Sequence, residues 1–133
     1  MKKLESTRAY ESAVNSHSVT VMDFMANWCA PCKMLSPILE TIAEEYESKE
    51  EKRSGKKLIG FFKVDFDIMK TLASSLKITA IPVVLFLVNG VECARVIGFG
   101  KDTDKKLRKT IKACLKKAMK PSKKKPRKVK KTS

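Results

Sequence analysis

The sequence predicts a single α/β domain built on a mixed β-sheet. Three observations carry this. Residues 19–26, Val19-Thr20-Val21-Met22-Asp23-Phe24-Met25-Ala26, are apolar or β-branched on both parities, the pattern of a strand covered on both faces. A helical stripe and a second apolar strand follow it, which is the chain order of a βαβ unit with parallel strands. Asn89-Gly90 then sits between two apolar runs, and because both central residues of a type I′ turn need positive φ this dipeptide predicts a hairpin with an antiparallel strand beyond it.

Taken in order, the lead-in before residue 5 can pair as an edge strand, and residues 5–16 are helix-compatible through Ala9, Ala13 and Val14. The strand at 19–26 should be central. Beyond the turn Trp28-Cys29-Ala30-Pro31-Cys32, Leu35, Ile38, Leu39, Ile42, Ala43 and Tyr46 recur with helical spacing, and Pro37 within them should kink the axis. Residues 48–57 are charged, contain Gly55 and read as a solvated loop; residues 58–64 read as the next strand. A short helix is expected over 69–76, a strand over 83–88 opened by Pro82, and a strand over 91–97 closed by Gly98 and Gly100. Asp102 or Thr103 is placed to cap a last helix with the apolar stripe Leu107, Ile111, Cys114, Leu115, Ala118 and Met119, stopped by Pro121.

The chain has 133 residues, 43% of them hydrophobic, enough for one core and too few for two. Its net charge of +15 is unevenly distributed: residues 101–133 hold 16 basic and 2 acidic side chains, whereas residues 1–100 are close to neutral. The domain is therefore expected over 1–120 and a disordered basic tail over 121–133, where almost nothing apolar is present to offset the entropy of ordering. No apolar run reaches the length of a membrane span, and the start of the sequence has a basic pair without an apolar stretch behind it, so a soluble protein of a reducing compartment, cytoplasm or nucleus, is expected.

Four cysteines, Cys29, Cys32, Cys93 and Cys114, are few for a disulfide scaffold, and the CxxC points to redox chemistry. Half a zinc site is disfavoured because Cys93 and Cys114 fall in a predicted strand and a predicted helix with no second CxxC and no nearby histidine. These two are read as small buried hydrophobes, with regulatory oxidation or dimerisation as the alternative, and His17 as a surface residue. If a helix starts at the CxxC, its free N–H groups and dipole favour the thiolate of Cys29, while Cys32 in the first turn should be less exposed.

The run Asp23-Phe24-Met25-Ala26-Asn27-Trp28-Cys29-Ala30-Pro31-Cys32-Lys33 resembles the active-site segment of thioredoxins, and the resemblance continues through Pro37, Lys63, Ile81-Pro82, Gly90 and Gly98, covering residues 1–119. It implies a thioredoxin-like fold, a central mixed sheet flanked by helices on both faces. It also implies a protein disulfide reductase cycling Cys29 and Cys32 between dithiol and disulfide, with no other cofactor and no metal. Asp23 would deprotonate Cys32, with Lys63 as its partner on the neighbouring strand. Trp28, Ala30, Pro31, Ile81, Pro82 and Gly98 would form the substrate surface, Pro82 as a cis-proline facing the disulfide. Pro31 between the cysteines is the family's mark of a reducing member; Ala30 stands where the family usually has glycine, and Met25 where tryptophan is common. The implied partners are disulfide-containing proteins and a separate thioredoxin reductase, with the protein itself a monomer.

The tail resembles a monopartite nuclear localisation signal through Lys123, Lys124, Lys125, Arg127, Lys128, Lys130 and Lys131. It has no aromatic residue to stack on bases, so a nuclear import receptor or non-specific, electrostatic nucleic-acid binding are its expected partners. A second functional class stays open from sequence: a thioredoxin-fold binding module, targeted by this tail to nucleic acid or acidic partners, with little redox activity.

Overall fold

The computed structural model describes residues 1–49, 52–53 and 55–120. The expected tail, 121–133, lies outside them. In chain order the elements are β1 (Lys2–Leu4), α1 (Thr7–Ser16), β2 (His17–Met25), α2 (Ala30–Glu47), β3 (Lys52–Arg53), β4 (Lys56–Asp65), α3 (Lys70–Ser75), β5 (Val83–Val88), β6 (Val91–Ile97) and α4 (Thr103–Met119). The sheet runs β1-β4-β2-β5-β6, with β3 added to β4. Strands β1, β4 and β2 are parallel, and β5 and β6 are antiparallel to their neighbours.

Strand β2 is central, and its apolar residues on both parities are divided between two cores. Val19 and Val21 pack with Leu35, Leu39, Ile42, Phe61, Phe86, Leu107 and Ile111 on the side of α2 and α4. Met22 and Phe24 pack with Leu4, Phe62, Val64, Ala73 and Leu85 on the side of α1 and α3. Adjacent residues of one strand, such as Phe61 and Phe62, therefore serve opposite layers, as the pleat demands. Each such side chain removed from water is worth about 1.5–3 kcal/mol, so the two layers together hold β2 in place.

The local signals are largely realised. Ser6 caps α1, its hydroxyl accepting from Ala9 N. Asn89 and Gly90 both have positive φ, 50° and 84°, as the hairpin requires. Lys120, before Pro121, is extended, which ends α4. Three expectations are corrected. Residues 48–57 are not only loop: β3 pairs antiparallel with the start of β4, Lys52 opposite Lys57 and Arg53 opposite Lys56, with Gly55 at φ 78°. Main-chain pairing needs no apolar side chains, so hydrophobic patterning misses it. Asp102 occupies the N-cap of α4 without a side-chain cap; the Thr103 hydroxyl instead accepts from Gly100 N at 2.8 Å.

His17 is the third correction, because it is half-buried at the start of β2 rather than a surface residue. Its Nδ1 is 2.7 Å from the Ala13 carbonyl, and its ring packs edge-on against Phe62. Gly60 makes room for it: a Cβ at residue 60 would lie 2.5 Å from the ring's Cδ2 and Nε2 and 2.9 Å from Phe62. Gly60→Ala should therefore lower stability by about 1–3 kcal/mol. Adding His17→Ala should restore part of the loss, and a double-mutant cycle from denaturant midpoints measures the coupling.

Candidate active site

The central strand ends at Met25, and the chain turns through Ala26, Asn27 and Trp28 to reach α2, whose N-cap is Cys29. The Cys32 N–H donates to Cys29 Sγ at 3.2 Å, and Pro31 lies in the first turn, where its missing N–H costs nothing. Cys29 and Cys32 are joined by a disulfide, with Cα atoms 5.3 Å apart. Both are buried, Cys32 slightly more than Cys29, and with Ala26 they form a small apolar cluster covered by Met25 and Ile81. Ala30 and Pro31 are exposed beside the pair.

Of the expected surface residues, Ile81 packs against the Cys29–Cys32 cluster. Trp28 is 67% exposed, and its indole Nε1 donates to Asp67 Oδ2 at 2.7 Å. Asp67 is itself held by the turn after β4: Asp65 Oδ1 accepts from Asp67 N and Ile68 N, and Phe66 N donates to the Met25 carbonyl. The Ile81–Pro82 peptide bond is cis. Gly98, at φ 81°, donates its N–H to the Pro82 carbonyl at 2.8 Å, which joins the β5 and β6 ends of the site. Met34, Ile68 and Ile97 are further exposed apolar side chains. Composition and periodicity do not mark Asp65 and Asp67; the signal they carry is Asp65-Phe66-Asp67 at the end of a strand, a pattern that favours an Asx turn.

Asp23 follows Val19 and Val21 in the row of β2 that faces α2, and it is fully buried. Neither carboxyl oxygen has a hydrogen-bond partner among the described residues. Desolvation is the main reason its pKa is pushed up from 3.8 to about 7; the Lys63 ammonium acts against the rise and Glu40 adds to it.

Lys63 stands beside Asp23 in the β2–β4 register, as expected, but it does not pair with it. Its Nζ forms an ion pair with Glu40 Oε2 of α2 at 2.7 Å. The reason is solvation: Glu40 is 44% exposed and offers the ammonium a partner with access to water, whereas Asp23 offers only the core. That bond holds the Glu40 carboxyl below the usual carboxylate range, with Ser36 also donating to it.

No cluster of His, Cys, Asp and Glu among the described residues could hold a metal ion, and no described helix is long and apolar enough to cross a membrane.

A Cys29–Cys32 disulfide at a helix N-terminus, packed against Ile81 of a cis Ile81–Pro82 bond on a mixed sheet, defines a thiol–disulfide oxidoreductase. The Thioredoxin family model matches residues 2–113, and the chain belongs to the thioredoxin family. It is 34% identical over 97 residues to thioredoxin-2 of Saccharomyces cerevisiae, covering 72% of this chain and 84% of that protein. With the thioredoxin of Echinococcus granulosus it shares 37% identity over 90 residues, 68% of this chain and 75% of that one. Among solved structures, the thioredoxin of Fasciola hepatica superposes with a TM-score of 0.70 at 30% identity, covering 85% of this chain and 98% of its own. That of Malassezia sympodialis gives 0.72 at 29% identity, with 86% and 90% covered.

The titration of Asp23 has a sign that can be measured. The folded chain keeps a proton on Asp23 that the unfolded chain releases near pH 4, so stability should fall as pH rises from about 4 to about 7 and level off above. A shift of this size corresponds to a loss on the order of 4 kcal/mol. Asp23→Asn should flatten that slope and, because a buried amide still costs some desolvation, raise stability at pH 8 by about 1–3 kcal/mol. Denaturant midpoints against pH provide the comparison; an unchanged slope in the variant would contradict the assignment.

Proposed function

We propose that this protein disulfide reductase divides its chemistry between Cys29 as attacking thiolate, Cys32 as resolving thiol and Asp23 as proton acceptor. The observation that carries the reading is the position of Cys29 at the N-cap of α2 with Cys32 one turn behind it. In the reduced form, the α2 dipole and free N–H groups favour the thiolate of Cys29. That thiolate attacks one sulfur of a substrate disulfide, a mixed disulfide forms on Cys29 as the substrate S–S bond breaks, and the first substrate sulfur leaves as a thiolate that takes a proton from solvent. The Asp23 carboxylate then takes the proton of Cys32, whose sulfur attacks Cys29 Sγ and expels the second substrate thiolate. The substrate gains two electrons, and the Cys29–Cys32 disulfide seen here is the oxidised product. A buried carboxyl that titrates near neutrality is suited to this exchange, since it can hold or release a proton at working pH. Lys63, fixed by Glu40, limits how far burial raises it.

Substrate segments would lie against Trp28, Ala30, Pro31, Pro82 and Gly98 and pair in extended form with the Ile81 main chain. The methyl of Ala30 narrows the approach to Cys29 relative to glycine. Electrons would be returned by a separate thioredoxin reductase. The disulfide itself and the buried Asp23 favour this reading over a redox-silent binding module.

Cys29→Ser should abolish reduction of an accessible protein disulfide by the reduced chain, whereas Cys32→Ser should accumulate a mixed disulfide on Cys29. Turnover with a small disulfide-bonded protein and mass spectrometry of the trapped species test this. Trapping on Cys32 in the Cys29 variant, with turnover retained, would reverse the assignment.

For the basic residues 121–133 we propose an address rather than a catalytic part: nuclear import through Lys123–Lys125, Arg127, Lys128, Lys130 and Lys131, with free protein also in the cytoplasm. The composition supports this, with ten basic and no acidic residues between Lys116 and Ser133. The last buried position of α4 is Cys114, well before the tail. Truncation after Lys120 should leave turnover and thermal stability within error and abolish nuclear accumulation of a tagged chain. Unchanged localisation would remove the proposed role. Should the tail bind nucleic acid, affinity would fall with a log–log salt slope of roughly −4 to −6 for five or six phosphates neutralised.

A further inference from the structure

Cys93 and Cys114 are far apart in the sequence and fall on different elements, yet the Cys114 thiol donates a hydrogen bond to Cys93 Sγ at 2.9 Å. The contact depends on an irregularity of β6. Phe86 pairs with Ala94 but Leu87 pairs with Glu92, so Cys93 is the extra residue of a β-bulge. Without the bulge, strand alternation would place Cys93 on the face opposite Ala94, with Arg95. That face belongs to the Glu92–Arg95 ion pair, which reaches the Leu76 carbonyl. With the bulge, Cys93 turns to the other face and joins Ala94 and Val96 against the core beneath α4. There it meets Cys114, which continues the buried stripe of Leu107 and Ile111.

We propose that Cys93 and Cys114 form a second redox dithiol, independent of Cys29–Cys32, which a hydroperoxide oxidises to a disulfide clamping α4 to β6. The two members are unequal. Cys93 is only partly buried and can meet an oxidant, whereas Cys114 is fully buried. Burial, together with its hydrogen bond to Cys93, pushes the Cys114 thiol up to about 12, so it remains a protonated thiol held against its partner. The order of events follows. The Cys93 thiolate attacks the outer oxygen of the hydroperoxide, the O–O bond breaks, and an alkoxide or hydroxide leaves and takes a proton from solvent, giving a sulfenic acid on Cys93. Cys114 then attacks Cys93 Sγ, the S–O bond breaks, the Cys114 proton goes to the departing hydroxide, and water leaves as the S–S bond forms. The two sulfurs lose two electrons in total, and the hydroperoxide gains them. Little movement is required, because the sulfurs already touch and the bulge already directs Cys93 at α4.

The test treats the reduced full-length chain with hydrogen peroxide, alkylates residual thiols under denaturing conditions and maps the peptides without reduction. The expected result is loss of alkylation at all four cysteines, with one cross-link joining Cys29 to Cys32 and another joining Cys93 to Cys114. In Cys93→Ser the second cross-link should be absent while disulfide reductase turnover is unchanged. In Cys114→Ala a sulfenic acid should accumulate on Cys93 and be trapped by dimedone. The proposal is overturned if Cys93 and Cys114 are both still alkylated once the active-site pair is fully oxidised, if Cys93 proceeds to sulfinic acid without a bridge, or if Cys93 links two chains. The peptide map of the unmodified chain decides between these outcomes even if Cys114→Ala fails to fold. Because the readout is a cross-link and not turnover, failure here leaves the role of Cys29 and Cys32 untouched.

Discussion

The structure depends on β2 being closed off from water on both faces. Its side chains are divided between a layer made with α2 and α4 and a layer made with α1 and α3, and neither layer is complete without it. Because the strand is fixed from both sides, its C-terminal end delivers Trp28 and Cys29 to a defined place at the rim of the sheet. The N-terminus of α2 is in turn held against the sheet by Leu35, Leu39 and Ile42. The disulfide thus stands on two elements that are packed rather than hinged, which is how a site keeps its geometry while it changes oxidation state.

The same enclosure creates the site's electrostatics. A carboxyl in the row of Val19 and Val21 is fully buried and has no hydrogen-bond donor among the described residues, and its protonated form gains accordingly. Lys63 stands next to it in register yet turns to Glu40, because a charged ammonium is better served by a partially exposed carboxylate than by a buried one. Burial is what raises the Asp23 carboxyl to about 7, while Lys63 and Glu40 act on it in opposite directions from the edge of the core. An ion pair formed directly with Asp23 would have favoured its charged form and lowered its pKa.

Irregularities of the backbone do comparable work elsewhere. The Asx turn at Asp65 aims Asp67 at the Trp28 indole, and the positive φ of Gly98 brings the end of β6 against Pro82. The bulge at Cys93 exchanges a position on the charged face of β6 for one under α4. In each case one residue leaves the regular ladder and a side chain or carbonyl gains a partner far away in sequence.

The sequence by itself determined the elements whose signals are local or periodic: the doubly apolar strand β2, the stripe of α2, the Asn89-Gly90 hairpin, the CxxC and the position of Cys29 at a helix start. These depend on the 2.0 and 3.6 residue periods and on turn chemistry, which neighbouring residues suffice to encode. It also placed Asp23 and Lys63 in register, through the resemblance that its motifs carry. Only the tertiary structure decided that Lys63 pairs with Glu40, that Trp28 is held by Asp67, that His17 packs over Gly60, that β3 forms from charged residues, and that Cys93 meets Cys114. Each of these is a choice among partners brought close by folding. It is settled by solvation, free volume or a one-residue shift in strand register, and none of those quantities leaves a period in the sequence.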